Sequence, residues 1–249
     1  MFEINFRFGL ELEFTRKTNR EKLSKMISAA LPKDTVLVTT WQKNMNNTEW
    51  VCKTDSSCGY EVCTPVFNSL SDLIRLQKVL ASFEKNGANV SKSCGVHVHL
   101  ESKSFTVYQM RKILINWVNF EHLIFSMFPE HRRNNRFCLP VYSFIKKEKY
   151  SPTGLIQTVS KHKNRSLNVR GYHTRGTIEF RLMEGSIDAE DIINWVIFLE
   201  KFVTRCLDMP KPDFLKLCSL EQLFNFLELE DKIELNLQEW IVQRIKSFE

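Results

Sequence analysis

From Ile4 to Phe14 apolar and polar residues alternate without a break. Ile4, Phe6, Phe8, Leu10, Leu12 and Phe14 point one way, and Asn5, Arg7, Gly9, Glu11 and Glu13 the other. A period of two sustained over that length is a β-strand with one face in the core. It also sets two carboxylates, two residues apart, on the opposite face.

Three later segments repeat the pattern. Glu61 lies between Tyr60 and Val62, His97 and His99 alternate with Val96, Val98 and Leu100, and Glu179 and Arg181 alternate with Ile178, Phe180 and Leu182. Paired in one sheet, these strands would crowd carboxylates and two imidazoles onto one surface, where mutual repulsion calls for cations. Arg181 supplies one. Oxygen-dominated ligation with an imidazole suits Mg²⁺ or Mn²⁺, whereas a structural zinc takes more Cys and His. Two divalent ions bridging nucleotide phosphates would balance the charge, and Arg181 would then face the transferring phosphoryl group. Each signal has a plainer explanation when taken alone. Alternating Glu is what the solvated face of a half-buried sheet looks like, strand histidines can hydrogen-bond within a buried layer, and Glu179 with Arg181 can be a cross-strand ion pair. Repetition on four strands is what favours a site.

Between these strands the pattern turns helical. Thr18 with Glu21 reads as a capping box opening a helix, with Leu23, Met26, Ile27 and Ala30 on its apolar side and Pro32 after its end. A β-hairpin is expected around Asn44 to Asn47, then a loop at Asp55-Ser56-Ser57 and a strand at Tyr60 to Cys63. Leu70 to Phe83 forms a helix that Gly87 ends, and Val107 to Phe128 a longer, largely buried one. Pro129 to Tyr150 is irregular and basic, Pro152 to Lys161 a short helix, and Arg175 to Met183 a strand. Asp188 caps a helix to about Leu207, and Ser219 with Gln222 opens the first of two helices in a C-terminal segment from about residue 213 to 249. Strands and helices mix without regular βαβ spacing, which predicts an α+β fold with a mostly antiparallel sheet. No linker, repeat or low-complexity stretch divides residues 1–249, so a single domain is expected.

With 43% hydrophobic and 26% charged residues the chain can bury a real core. Its net charge of +6 favours anionic partners, but the basic residues are scattered rather than gathered into a stripe. Arg132, Arg133 and Arg136 form the one basic loop considered for phosphate. Seven cysteines make no CxxC pair, and neither a signal segment nor a long apolar span is evident, so reduced thiols, a cytoplasmic location and no membrane partner are expected. Cys94 has no Asp or Asn placed to orient a base and is read as a small buried thiol.

The segments GLELEF at 9–14, DSSCGYEVCTPVF at 55–67, SCGVHVHL at 93–100, RSLN at 165–168 and GTIEFRLMEGSID at 176–188, followed by Trp195, resemble the putative amidoligase family. That family is related to glutamine synthetase and glutamate-cysteine ligase through a shared catalytic domain. The resemblance implies a curved sheet with helices on one face and the active site on the other. It implies Glu11, Glu13, Glu61, His97 and Glu179 as metal ligands, and Arg181 as the contact to the γ-phosphate and acyl phosphate. Asp55 would be a base or an ammonium anchor, and His99, Arg136, Arg165 and Asn168 contacts to nucleotide or substrate. The implied reaction is an ATP- and Mg²⁺- (or Mn²⁺-) dependent carboxylate–amine ligation through an acyl phosphate. Its partners would be a carboxylate and an amine, with a macromolecular anionic substrate, protein or nucleic acid, left open. The rival readings are a metal-dependent nuclease or phosphohydrolase, a guanidino-type phosphotransferase on the same fold, and a non-catalytic nucleic-acid-binding module.

Overall fold

A computed structural model describes residues 4–40, 48–145, 151–210, 212, 217–229 and 232–249. In chain order these form β1 (Phe8–Thr15), α1 (Arg20–Ala30), β2 (Val36–Thr39), β3 (Trp50–Asp55), β4 (Gly59–Cys63), α2 (Leu70–Lys85), β5 (Val96–Glu101), α3 (Val107–Ser126) and α4 (Glu130–Arg133). They continue with α5 (Pro152–Ser160), β6 (Leu167–Asn168), β7 (Thr177–Phe180), α6 (Ala189–Asp208), α7 (Leu220–Leu227) and α8 (Lys232–Phe248). The α+β expectation holds. The chain groups into two compact units, Met1–Leu100 with Met183–Val196, and Glu101–Leu182 with Ile197–Glu249.

In the first unit five strands lie in the order β2-β3-β4-β1-β5. β1 is antiparallel to both neighbours, with Glu13 opposite Glu61 of β4 and Glu11 opposite His97 of β5. β3 is antiparallel to β4, but β2 runs parallel to β3, Val36 opposite Trp50. That pairing overturns the hairpin expected between them, because a tight turn joins antiparallel strands and parallel neighbours need a longer return. Residues 44–47 of the expected turn lie outside the described residues.

Leu10, Leu12 and Phe14 of β1 are buried, as are Leu23, Met26 and Ile27 of α1 and Leu76, Val79, Leu80 and Phe83 of α2. The rings of Phe14 and Phe83 meet edge to face at 5.1 Å. Each such side chain withdrawn from water contributes about 1.5–3 kcal/mol. The cap of α1 is Asn19, whose side chain accepts from the Lys22 N–H at 2.8 Å, and not Thr18. The Thr18 hydroxyl is spent on a tertiary bond, accepting from the Asn89 N–H at 2.9 Å, and the following amide serves the helix end as well. Gly87, at φ +65°, ends α2 as expected.

The second unit is built around α3, which is buried on more than one side. Trp117 packs on Phe180 of β7 at 5.1 Å and on Phe202 of α6 at 5.6 Å, and Phe120 on Phe226 of α7 at 5.1 Å. The buried Glu121 accepts from Ser166 Oγ at 2.6 Å, Val141 N at 2.7 Å and Tyr142 N at 2.8 Å, tying loop and strand to the helix. Ser219 and Gln222 form the capping box of α7. Among the described residues no helix is long and apolar enough to cross a membrane.

Asp72, in the first turn of α2, accepts from the Asn68 N–H at 3.0 Å, Ser69 Oγ at 2.7 Å and Arg75 at 2.7 Å. Burial would raise its carboxyl, but these donors outweigh it and hold the group below its ordinary value. A depressed carboxyl stabilises the fold fully above the unfolded pKa, near 3.9, and loses that contribution as pH falls through the folded value. Asp72→Asn is therefore expected to cost about 1 kcal/mol at pH 7. In urea denaturation the gap between variant and parent should narrow toward pH 2.

Candidate active site

Residues opposite one another on neighbouring strands share a face, so the register aligns two rows across the first unit. One row runs Lys53, Glu61, Glu13 over β3, β4 and β1, and the other Cys63, Glu11, His97 over β4, β1 and β5. His99, opposite Gly9, stands beside the second row. Glu13, Lys53, Glu61 and His97 are only 7, 6, 5 and 5% exposed, which removes the solvated-face explanation of the alternating glutamates.

Buried carboxylates must find partners. The His97 imidazole sits between the two β1 glutamates, Nδ1 at 3.3 Å from Glu11 and Nε2 at 3.9 Å from Glu13, and His99 Nε2 lies 3.4 Å from Glu11. Burial would raise the Glu11 carboxyl, but the two histidines hold it well below the usual range. Lys53 Nζ pairs with Glu61 at 2.6 Å, and Cys63 Sγ donates to the same carboxylate at 3.0 Å. Burial and the charge of Glu11 still push Glu61 up to about 7, against the pull of Lys53. The Lys53 ammonium, which burial alone would lower, is raised by Glu61, Cys63 and Glu11.

At the end of the β3–β4 hairpin Asp55 Oδ1 collects Ser57 N at 2.7 Å, Cys58 N at 3.1 Å, Cys58 Sγ at 3.3 Å and the Ser57 hydroxyl. Burial opposes ionisation there, but these donors hold Asp55 below its ordinary value. On the other side of β1 the Gly95 N–H donates to Glu13 Oε2 at 2.6 Å. Ligand atoms of Glu11, Glu61 and Cys63 lie within 4.8 Å of one another, and so do those of Glu13, Asp55 and Cys58.

The second unit carries the remaining expected residues. Asn168 Nδ2 donates to Glu179 Oε2 at 2.7 Å across the β6–β7 pair. Arg181, one residue past β7, pairs with Glu179 of that strand and donates to the Phe137 carbonyl at 3.2 Å. The Arg136 guanidinium lies over the Phe137 ring at 4.9 Å. Arg165 is buried, which lowers its pKa, and donates to the Pro140 carbonyl at 3.3 Å. Arg132 donates to the carbonyls of Leu182 at 3.1 Å and Arg181 at 2.6 Å, and Arg133 to that of Phe248 at 3.1 Å, so these two brace the unit.

Residues 5–203 match the family described as putative amidoligase enzyme. The chain belongs to that family. It is thus a ligase-type enzyme, and every expected site residue falls within the matched span. No curated protein matches the chain.

Sequence reading of this amidoligase missed Lys53. The signal was present but weak: Lys53 and Asp55 alternate with Cys52 and Thr54, the pattern of the other strands, in a segment too short to stand out. Lys53→Met would leave Glu61 buried without its cation, a loss of about 3 kcal/mol. Glu61 relieves part of that by taking up a proton, so the loss should shrink below pH 6, and adding Glu61→Gln should recover most of it at pH 7. Chemical denaturation of the single and double variants checks this; an unchanged midpoint for Lys53→Met would remove the pair from the account.

Proposed function

We propose that the chain is an ATP- and Mg²⁺-dependent carboxylate–amine ligase on a glutamine synthetase-like sheet, acting through an acyl phosphate. The supporting observation is the convergence of Glu11, Glu13, Glu61 and His97 on one face of the sheet, where Lys53 pairs with Glu61. The donor set fits hard divalent ions: it is rich in carboxylate oxygen with one interposed imidazole. Glu11, Glu13, Glu61 and His97 would hold them. A bound ion would supply charge neutralisation and alignment of nucleotide phosphates.

The chain's own side chains have distinct tasks in this reading. Arg181, already committed to a carboxylate, would meet the charge developing on the transferred phosphoryl group. Asn168 orients Glu179, and Arg136, Arg165 and His99 would contact nucleotide or substrate. Asp55 suits an ammonium anchor better than a base. Its lowered pKa makes it a poor proton acceptor, and its four donors all engage Oδ1, leaving Oδ2 to face an amine.

The test measures ADP and phosphate with Mg²⁺, a panel of carboxylates and a panel of amines including polyamines, with the product identified by mass. Amide should form only when both substrates are present, and Glu13→Gln or Arg181→Ala should lower turnover by about 10²-fold or more. Phosphate release without an amine would favour the hydrolase, and a stable phosphorylated guanidine the phosphotransferase.

A further inference from the structure

Counted over the whole chain the basic residues look scattered, but counted by segment they do not. Residues 129–182 hold 12 of the 35 lysines and arginines and only three of the 29 acids, so the rest of the chain carries a small acidic excess. Four of the twelve are engaged within the unit: Arg132 and Arg133 on carbonyls, Arg165 on the Pro140 carbonyl, and Arg181 on Glu179. Lys146, Lys147 and Lys149 lie outside the described residues. The other five, Arg136, Lys161, Lys163, Arg170 and Arg175, are exposed, and among the described residues no carboxylate pairs with them. Like charges left without a counter-charge raise the local potential and draw anions.

Three of the five lie along a loop that also carries two exposed rings. A parallel bridge joins Leu139 to Arg165: the Leu139 N–H donates to the Asn164 carbonyl at 3.1 Å, and the Ser166 N–H to the Leu139 carbonyl at 2.9 Å. That pairing lays Phe137 abreast of Lys163, with Arg136 and Lys161 next along the two segments. Phe137 is 39% exposed and Tyr142 57%, and the Arg136 guanidinium lies over the Phe137 ring. Both aromatic residues are fixed through their backbones. The Phe137 N–H donates to Asn135 Oδ1 at 2.8 Å and its carbonyl accepts from Arg181, while the Tyr142 N–H donates to Glu121 and its carbonyl accepts from the Ile145 N–H at 3.1 Å. Rings kept in water on a fixed backbone, among unpaired cations, are preorganised to stack a flat anionic ligand.

We propose that this edge of the second unit, carrying Arg136, Phe137, Tyr142, Lys161 and Lys163, binds single-stranded nucleic acid. The cations take the phosphates, and Phe137 and Tyr142 stack unpaired bases. An acidic peptide would satisfy the cations but leave the rings without flat partners, and the bases of a duplex are stacked on one another and unavailable to them. The charge complementarity is local, since the net charge outside residues 129–182 is slightly negative. Arg170 and Arg175 flank the β6–β7 turn, at the other end of that hairpin from Arg165 and Arg181, and are not part of the face. A strand stacked on Phe137 would pass beside Arg181, whose Nε–H donates to the Phe137 carbonyl. Binding itself does not rest on the ligase reading.

The experiment titrates the full-length chain into a fluorescein-labelled oligothymidylate of about 20 nucleotides and follows anisotropy over a range of salt. Saturable binding is expected, with log K falling against log salt at a slope of about −2 for three phosphate contacts. The double variant Lys161→Glu, Lys163→Glu should bind at least about 10-fold more weakly and with a shallower slope. Phe137→Ala and Tyr142→Ala should each lose about 10-fold or more with the slope unchanged. Circular dichroism and the urea midpoint establish that each variant is folded. The double variant Arg170→Glu, Arg175→Glu, with the same change of charge at the β6–β7 turn, should bind nearly as the parent does. A duplex of the same length, polyglutamate and phosphatidylserine vesicles should each bind more weakly than the single strand. No binding, equal or tighter binding of any of those three, or an equal loss in the Arg170, Arg175 variant would overturn the proposal. So would displacement of the strand by excess Mg²⁺-ATP, which would make the face a nucleotide pocket instead. ATP turnover enters none of these measurements, so failure of the ligase reading leaves their outcome intact.

Discussion

The register of β1 between β4 and β5 is the constraint on which the rest depends. Side chains on a strand alternate between faces, so sliding β1 by one residue would drive Glu11 and Glu13 into the layer of α1 and α2 and bring Leu10, Leu12 and Phe14 out of it. The burial of those three apolar residues, with Phe14 seated on Phe83, is therefore what fixes Glu13 opposite Glu61 and Glu11 opposite His97. No residue of the carboxylate cluster needs to stabilise its own position. The opposite face does that.

The cluster works against the fold. Three glutamates brought together in a low-dielectric layer repel one another, and Glu61 records the strain directly, its carboxyl pushed up to about 7 although Lys53 lies 2.6 Å away. The histidines on β5 and the lysine on β3 divide the task of compensation: His97 and His99 hold Glu11 ionised, while Lys53 and Cys63 serve Glu61. A surface arranged this way is less stable than one of well-packed apolar residues would be, which is the usual mark of a face kept for chemistry.

Much of this was legible in the sequence because the period of two is a local property. Strands β1, β4, β5 and β7, the helices α2, α3, α5 and α6, and the capping box of α7 all follow from spacing within a few residues. What was misread depends on partners distant in the chain. Thr18 has the side chain of a helix cap, but its hydroxyl serves Asn89, and nothing near it in sequence announces that. The polar run before Trp50 resembles a hairpin turn until β2 is seen to lie parallel to β3. Lys53 reads as an ordinary strand lysine until the register places it opposite Glu61. Conversely, Glu179 and Arg181 pair with each other two residues apart in the chain, where spacing taken alone favoured an ordinary cross-strand pair.

Asp55 shows how a turn becomes part of such a face. Four donors from Ser57 and Cys58 bind one oxygen of its carboxylate, so the turn's geometry and the ionisation of Asp55 are a single interaction. The hairpin could have been closed by any residues that satisfy its backbone. Closing it with an ionised carboxylate, at the same end of β1 as Glu13, places a fixed negative charge within reach of the cluster and yet outside its two rows. A cationic substrate group would be drawn to that corner and a phosphate repelled from it. In the proposed ligase, the polarity along the sheet, from Asp55 at one end to the histidines beside Glu11 at the other, would orient two reactants of opposite charge without any moving part.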